Sequence, residues 1–261
     1  MFDVDVYLAR LGYTGPVSPT WPVLRDLHKR HLMTIPYDSA LNATRGDNLW
    51  SNVDIDVDKT FAEVVVGGRG GVCTELNGLF RVLLERLGFT VDVYSAGTRQ
   101  LDGSFGPDLE HVFNSVVLDG TRYLVDVGFV GPSFLEPIVL SDEPQEQYGN
   151  VFRVVRDGGY RVLLRKGRRG DYQQTYRFRP RARSFDEWND PGDDLREFAR
   201  GLAAAGTLVR GRAFETGQRI LIGRRYVVVD DGYDHLRVLV NDDEHREVVA
   251  EILGTGHGRR T

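Results

Sequence analysis

The chain holds a single cysteine, Cys73, and two residues suited to activating it, His111 and Asp126. A thiolate attacks carbonyl carbon, whereas a free cysteine is mostly protonated at neutral pH. Cys73 stands at the start of the strongest helical pattern in the sequence. Unpaired N–H groups and the macrodipole favour negative charge there, and the same N–H groups could stabilise an oxyanion. The preceding turn, Gly67-Gly68-Arg69-Gly70-Gly71, leaves room for a substrate to approach the backbone. The competing reading of this segment alone is a buried structural cysteine, the commonest fate of a lone thiol.

A second segment bears on that choice. His111 to Leu118 and Thr121 to Val127 read as strands, and Asp119-Gly120 between them is a strong hairpin signal. A two-residue loop pairs Leu118 with Thr121, which sets Phe113 opposite Asp126 and His111 two residues along on the same face. Diagonal neighbours lie about 7–8 Å apart, within reach of long side chains. His111 and Asp126 can then form the imidazole–carboxylate pair that orients a general base. Asp126 interrupts Tyr123-Leu124-Val125 and Val127, and a carboxylate in such a run needs a partner. A structural His–Asp pair, or an Asp126 facing solvent, would also account for it, and a one-residue bulge would break the register.

The elements that must position these groups can be read from periodicity. Trp21 to His28 is helical, behind Ser18 and Thr20 as caps. Residues 41 to 58 are polar and turn-rich, and a long surface loop is expected. From Cys73 to Leu87, the residues Leu76, Leu79, Phe80, Leu83, Leu84 and Leu87 repeat in three- and four-residue steps, with Gly88 as C-cap. The period then changes to two. Phe89 to Ala96, Phe152 to Val155, Tyr160 to Leu164, Gln174 to Phe178, Ile220 to Val229 and His235 to Val240 read as strands. Asp193 to Ala205 and Glu244 to Leu253 read as helices, and Gly254 to Thr261 as a mobile tail. This order favours α+β over a doubly wound sheet.

With 261 residues the chain can bury one large core or two to three small ones. A formal charge of −5 argues against general nucleic-acid binding. Residues Met1 to Arg10 lack the basic start and apolar core of a signal peptide, and no stretch approaches the roughly 18 apolar residues of a membrane span. One cysteine precludes an intramolecular disulfide, so a cytoplasmic location is expected.

Other candidates are weaker. His28 and His31 lie three apart on a helix without a third ligand, so they read as ordinary surface histidines and no metal site is expected. His235 and His245 lack chemical context, and His257 lies in the tail. The Gly67–Gly71 turn lacks the Lys-Ser/Thr ending of a phosphate loop. Asp230-Asp231 and Asp242-Asp243-Glu244 read as turn and helix-start chemistry. Arg165, Lys166, Arg168 and Arg169 form either a solvated hairpin turn around Gly167 and Gly170 or a patch for an anionic acyl carrier.

Arg69-Gly70-Gly71-Val72-Cys73-Thr74-Glu75-Leu76-Asn77-Gly78-Leu79-Phe80 resembles the nucleophile segment of the arylamine N-acetyltransferases. Ile35-Pro36-Tyr37-Asp38 upstream, Glu110-His111-Val112, and Asp126-Val127-Gly128-Phe129 extend the resemblance, which is convincing from about residue 18 to 138. It implies an α+β fold with a papain-like cysteine core: a helical domain over 1–90 carrying the nucleophile, a β-barrel domain over 91–190 carrying His111 and Asp126, and an α/β lid over 191–261. It further implies a ping-pong reaction. Cys73 takes an acyl group from a thioester, usually acetyl-coenzyme A, and passes it to an arylamine or similar amine. His111 is then the base and Asp126 its orienter, while Arg69 and Glu75 form structural ion pairs. Tyr37, Phe129, Val72 and Thr74 fall at the substrate. No tightly bound cofactor is expected, and the chain is a monomer or homodimer.

The sequence departs from the family pattern near that substrate. Tyr37-Asp38-Ser39 replaces Phe-Glu-Asn, the loop from Leu41 to Asp58 is longer, Thr74 replaces an aromatic after the cysteine, and Val130 replaces a glycine. These changes bear on donor and acceptor rather than on the chemistry. They raise an alternative within the same chemistry: an amide synthase of the ansamycin type, which takes a long acyl chain from a carrier protein in antibiotic biosynthesis. A catalytically silent binding module and a cysteine peptidase or transglutaminase-like enzyme are the readings outside it.

Overall fold

Leu76, Leu79, Phe80, Leu83 and Leu84 repeat on one helical face, and all five are completely buried. They make helix α5 (Cys73–Arg86) the centre of a mostly helical half. The computed structural model describes residues 1–45 and 49–254. Against α5 pack α1 (Val4–Arg10), α2 (Trp21–Thr34) and α4 (Val57–Phe61), the last running into a π-helical turn at Ala62–Val66. Between α2 and α4 the chain forms a two-residue strand, β1 (Tyr37–Asp38), and a short helix, α3 (Asn42–Arg45), inside the segment expected to be loop. Strand β1 depends on partners far away in sequence, and α3 is a single turn too short to leave a periodicity.

Eight antiparallel strands follow. They are β2 (Thr90–Thr98), β3 (His111–Leu118), β4 (Thr121–Val125), β5 (Ile138–Val139), β6 (Gln145–Gln147), β7 (Asn150–Asp157), β8 (Tyr160–Lys166) and β9 (Gln173–Phe178). Their spatial order is β5-β4-β3-β2-β9-β8-β7-β6. The two edges of this sheet meet through side chains. Gln145 on β6 accepts from the Val139 N–H of β5 (2.7 Å) and donates to its carbonyl (2.9 Å), as a neighbouring strand would. The result is an almost closed barrel filled by Phe113, Phe134, Phe152, Tyr176 and Phe178.

The β3–β4 hairpin turns at Asp119 (φ 50°) and Gly120 (φ 76°), the two positive values of a type I′ turn. Its register pairs Leu118 with Thr121 and runs without a bulge to Asn114 and Val125. Asp126 is the first residue beyond β4.

A second sheet has the order β1-β10-β11-β12-β13, with β10 (Val209–Phe214), β11 (Gly217–Ile222), β12 (Arg225–Asp230) and β13 (Tyr233–Val238). The single strand expected over Ile220 to Val229 is therefore two, folded back at Gly223, which holds φ 57°. Helix α7 (Asp242–Leu253) packs Val248 and Ile252 on Leu221 and Tyr226 of this sheet, whereas α6 (Gly192–Ala205) packs Leu195 with Val53, Val112 and Trp188. The first member of the sheet is β1, paired to β10 through Tyr37–Gly211 and Asp38–Arg210.

The basic cluster is divided: Arg165 and Arg168 bind the second sheet, while Arg168, Arg169 and Gly170 remain exposed to solvent, as the turn reading expects. Arg165 is buried and grips both carboxylate oxygens of Asp234 on β13, while Arg168 binds Asp231 beside it. His257 and the rest of the tail beyond Gly254 lie outside the described residues.

Candidate active site

The backbone ahead of Cys73 is fixed from both sides. Gly71 accepts from the Asp38 N–H (3.0 Å) and donates to the Pro36 carbonyl (3.2 Å). Gly70 holds φ 79°, and a Cβ there would stand 2.8 Å from the Pro36 oxygen, so only glycine fits. Glu75, in the first turn of α5, folds back to accept from the Val72 N–H (3.1 Å) and binds Arg69 (2.9 Å) and Arg45 (2.8 Å). Burial alone would raise its pKa, but the two guanidiniums and this N–H outweigh it and hold the carboxyl below its usual value. Cys73 is thus the first helical residue of α5. The N-cap position is taken by Val72, which has no side-chain oxygen to cover the first-turn N–H groups.

His111 and Asp126 face this point from the hairpin. His111 Nε2 lies 2.7 Å from Asp126 Oδ2. Cys73 lines the same cleft as the imidazole and acts on its charge, and with Nε2 engaged by Asp126 the nitrogen left for the sulfur is Nδ1. The ring is stacked on Phe113 (6.0 Å between centroids) and flanked edge-on by Phe129 (5.5 Å). Burial alone would lower its pKa. The Asp126 carboxylate and the Cys73 side chain overcome that and carry it up to about 10. His111, with Asn77 and Gly128, holds the Asp126 carboxyl below its usual value in spite of its burial.

Asp126 is braced at both carboxylate oxygens and at its backbone N–H. Its Oδ1 accepts from Asn77 Nδ2 and from the Gly128 N–H, both at 3.0 Å. Its backbone N–H donates to His28 Nε2 (3.1 Å), and His28 Nδ1 donates to the Leu135 carbonyl (2.8 Å). Asn77 also donates to the Val112 carbonyl (2.8 Å) and accepts from the Val127 N–H (2.9 Å). It thereby ties the nucleophile helix to both sides of the His–Asp pair. A Cβ at Gly128 would come within 2.6 Å of Asn77 Nδ2 and 2.8 Å of the Cys73 Cα.

Sequence reasoning missed Asn77 and His28 as parts of the site. Asn77 carried a signal, since it lies four residues after Cys73 and shares its helix face. His28 carried none. With His31 it was expected on the surface, but both are completely buried. His28 is held neutral by burial, its pKa lowered to about 4 against the opposing pull of Leu135 and Asp126. His31 shares a hydrogen bond with the Tyr7 hydroxyl (2.9 Å), and burial, then His28, lower it to about 3. A buried polar side chain is stable once partnered, and these partners come from distant segments.

Cys73 and His111 open onto a cleft of about 450 Å³, and Tyr37, Val72, Thr74 and Phe129 line it with them. Its mouth is apolar. Leu101, Leu202 and Ile222 border it and are 93%, 46% and 41% exposed. Larger hollows of about 820 Å³ beside Trp188 and about 1020 Å³ beside Lys29 contain neither thiol nor imidazole. His235, His245 and the acidic pair Asp230-Asp231 are not among the residues lining the cleft. The arrangement is a thiol at an open helix start, a charged imidazole held in a fixed orientation by Asp126, and a substrate-sized hollow over both. Such a set can support nucleophilic acyl transfer.

A family model described as N-acetyltransferase matches residues 20–256. The proansamycin X synthase of Amycolatopsis mediterranei (strain S699) is 38% identical over 261 residues, covering 99% of both chains. An arylamine N-acetyltransferase of Mycolicibacterium smegmatis is 30% identical over 97% of this chain and 99% of its own. Among solved structures, the Mycobacterium marinum arylamine N-acetyltransferase in complex with CoA superposes with a TM-score of 0.79 at 25% identity, covering 97% of this chain and 92% of that one.

Proposed function

Because the chain belongs to the arylamine N-acetyltransferase family, we propose that it carries an acyl group from a thioester to an amine on Cys73. The observation that carries this reading is the joining of the thiol, through His111, to a buried Asp126 at the uncapped start of a helix. In this reading residues 1–90 supply the nucleophile, residues 91–190 the His–Asp pair, and residues 191–261 the lid, in a papain-like core. His111, whose other nitrogen is engaged by Asp126, takes the Cys73 proton as the thiol attacks. The thiolate adds to the thioester carbonyl carbon, and the carbonyl electron pair moves to oxygen. Collapse expels the donor thiolate, which takes the imidazolium proton. The amine then adds to the acyl-Cys73 carbonyl, His111 accepts the amine proton, and Cys73 leaves as thiolate. The exchange is ping-pong, with acyl-coenzyme A or an acyl carrier protein as donor.

Two observations favour the amide-synthase form of this chemistry, in which a long acyl chain is released or closed onto an aryl amine. One is the full-length similarity to the proansamycin X synthase. The other is an apolar track leaving the cleft. Ile222 at the mouth shares a sheet face with Val238, through Arg225, and with the neighbouring row Ile220, Val227 and Leu236. Leu236 and Val238 are 57% and 59% exposed, and an acetyl group needs no such surface.

Intact-protein mass spectrometry with acetyl-coenzyme A and with long-chain acyl N-acetylcysteamine thioesters tests both levels. A mass gain confined to Cys73, and absent from Cys73→Ala, is expected. A folded protein that gains no acyl mass from any thioester would refute the acyltransferase reading. Rapid acetylation of a simple arylamine would count against the synthase.

A further inference from the structure

Thr74 follows the nucleophile directly, lines the cleft and is 2% exposed. Its Oγ1 is buried and makes no hydrogen bond among the described residues. Hydroxyls in such positions are normally partnered, by protein or by a ligand. The uncapped first turn of α5 presents its N–H groups at the same end of the same helix.

We propose that the Thr74 hydroxyl donates a hydrogen bond to the thioester carbonyl oxygen and stabilises the oxyanion that forms when Cys73 attacks. The role rests on the acyl-enzyme reading given above. As the Cys73 sulfur bonds to the carbonyl carbon, the displaced electron pair settles on the carbonyl oxygen. That oxygen then accepts from Thr74 and from first-turn N–H groups. When the oxyanion collapses, the C–S bond to the donor breaks and the departing sulfur takes the His111 proton, so Thr74 keeps its own proton throughout. Removing one such donor typically slows catalysis about 100-fold or more.

The test compares two reactions of one sulfur. Burst acylation by S-phenyl thioacetate forms an oxyanion, whereas alkylation by iodoacetamide does not. Thr74→Val keeps the shape and removes the hydroxyl. It is expected to lower the acylation rate about 100-fold while alkylation stays within about threefold of wild type. Thr74→Ser should recover most of the acylation rate, and Thr74→Ala should match Thr74→Val, which guards against a packing defect in either. Acylation of the valine and alanine variants within about threefold of wild type would overturn the proposal. So would a parallel fall in alkylation, since Thr74 would then be acting on the sulfur itself. If the wild-type thiol is alkylated but never acylated, the acyl-enzyme reading fails and this role fails with it.

Discussion

Replacing Asp126 by asparagine isolates the electrostatic half of the site. In D126N the side-chain amide oxygen can still accept from Asn77 and Gly128, so two of the three side-chain hydrogen bonds survive. The third is inverted. The new amide nitrogen faces His111 Nε2 as a donor, so Nε2 must become the acceptor and the ring proton moves to Nδ1. That nitrogen faces Cys73, and a protonated Nδ1 cannot take the thiol proton. The charge is lost as well. With the carboxylate present the imidazole is carried up to about 10, and without it burial, opposed only by Cys73, pulls the ring down. The rise from the ordinary 6.5 to about 10 corresponds to roughly 5 kcal/mol, which Asp126, the larger contributor, shares with Cys73. Part of that loss is absorbed by relaxation, so we expect burst acylation to fall about 10³–10⁴-fold. The fold should persist by circular dichroism. Histidine NMR titration reads the cause directly. Wild-type His111 should stay protonated up to about pH 10, and the variant should be neutral at pH 7. Acylation of a folded D126N within about tenfold of wild type would refute the assigned role, as would a His111 that titrates unchanged.

Two further outcomes follow from the buried polar groups. Asn77→Ala removes the brace between α5, Val127 and Asp126 and strands several buried partners. It should cost about 1–3 kcal/mol in urea unfolding and lower turnover about 10- to 100-fold, and wild-type values for both would show the brace to be idle. His28 and His31 are held neutral, with values lowered to about 4 and about 3, while the unfolded chain binds those protons from about 6.5. Stability should therefore drop as pH falls from 6.5 towards 4, by up to about 2.7 kcal/mol per pH unit. His111 acts in the opposite window: its contribution is complete below 6.5 and is lost as pH rises through about 10. Asp126, depressed, loses its contribution only below about 3.8, beneath the histidine window. Unfolding free energies that stay flat between pH 6.5 and 4.5 would contradict the buried neutral state of the two histidines.

The parts of this structure that were legible in the sequence are those set by local rules. Leucines at three- and four-residue steps gave α5, and Asp119-Gly120 fixed a register that puts His111 and Asp126 side by side. What escaped was set by contacts between distant segments. Strand β1 has two residues and exists because β10, far along the chain, offers it a partner. His28 read as a surface residue because its neighbours in sequence gave no hint of Leu135 or the Asp126 backbone. The break at Gly223 was missed because Ile220–Val229 is apolar on both sides of it, and the turn there is carried by one positive φ.

The smallest strand has the widest mechanical reach. Tyr37 and Asp38 are stitched on one side to the sheet that borders the cleft mouth and on the other to Gly71, two residues from the sulfur. A bulky guest that wedges that sheet outward therefore tugs on the peptide segment bearing the thiol. The sheet edge and the attacking atom are geared together through two residues, so a shift in one is passed to the other.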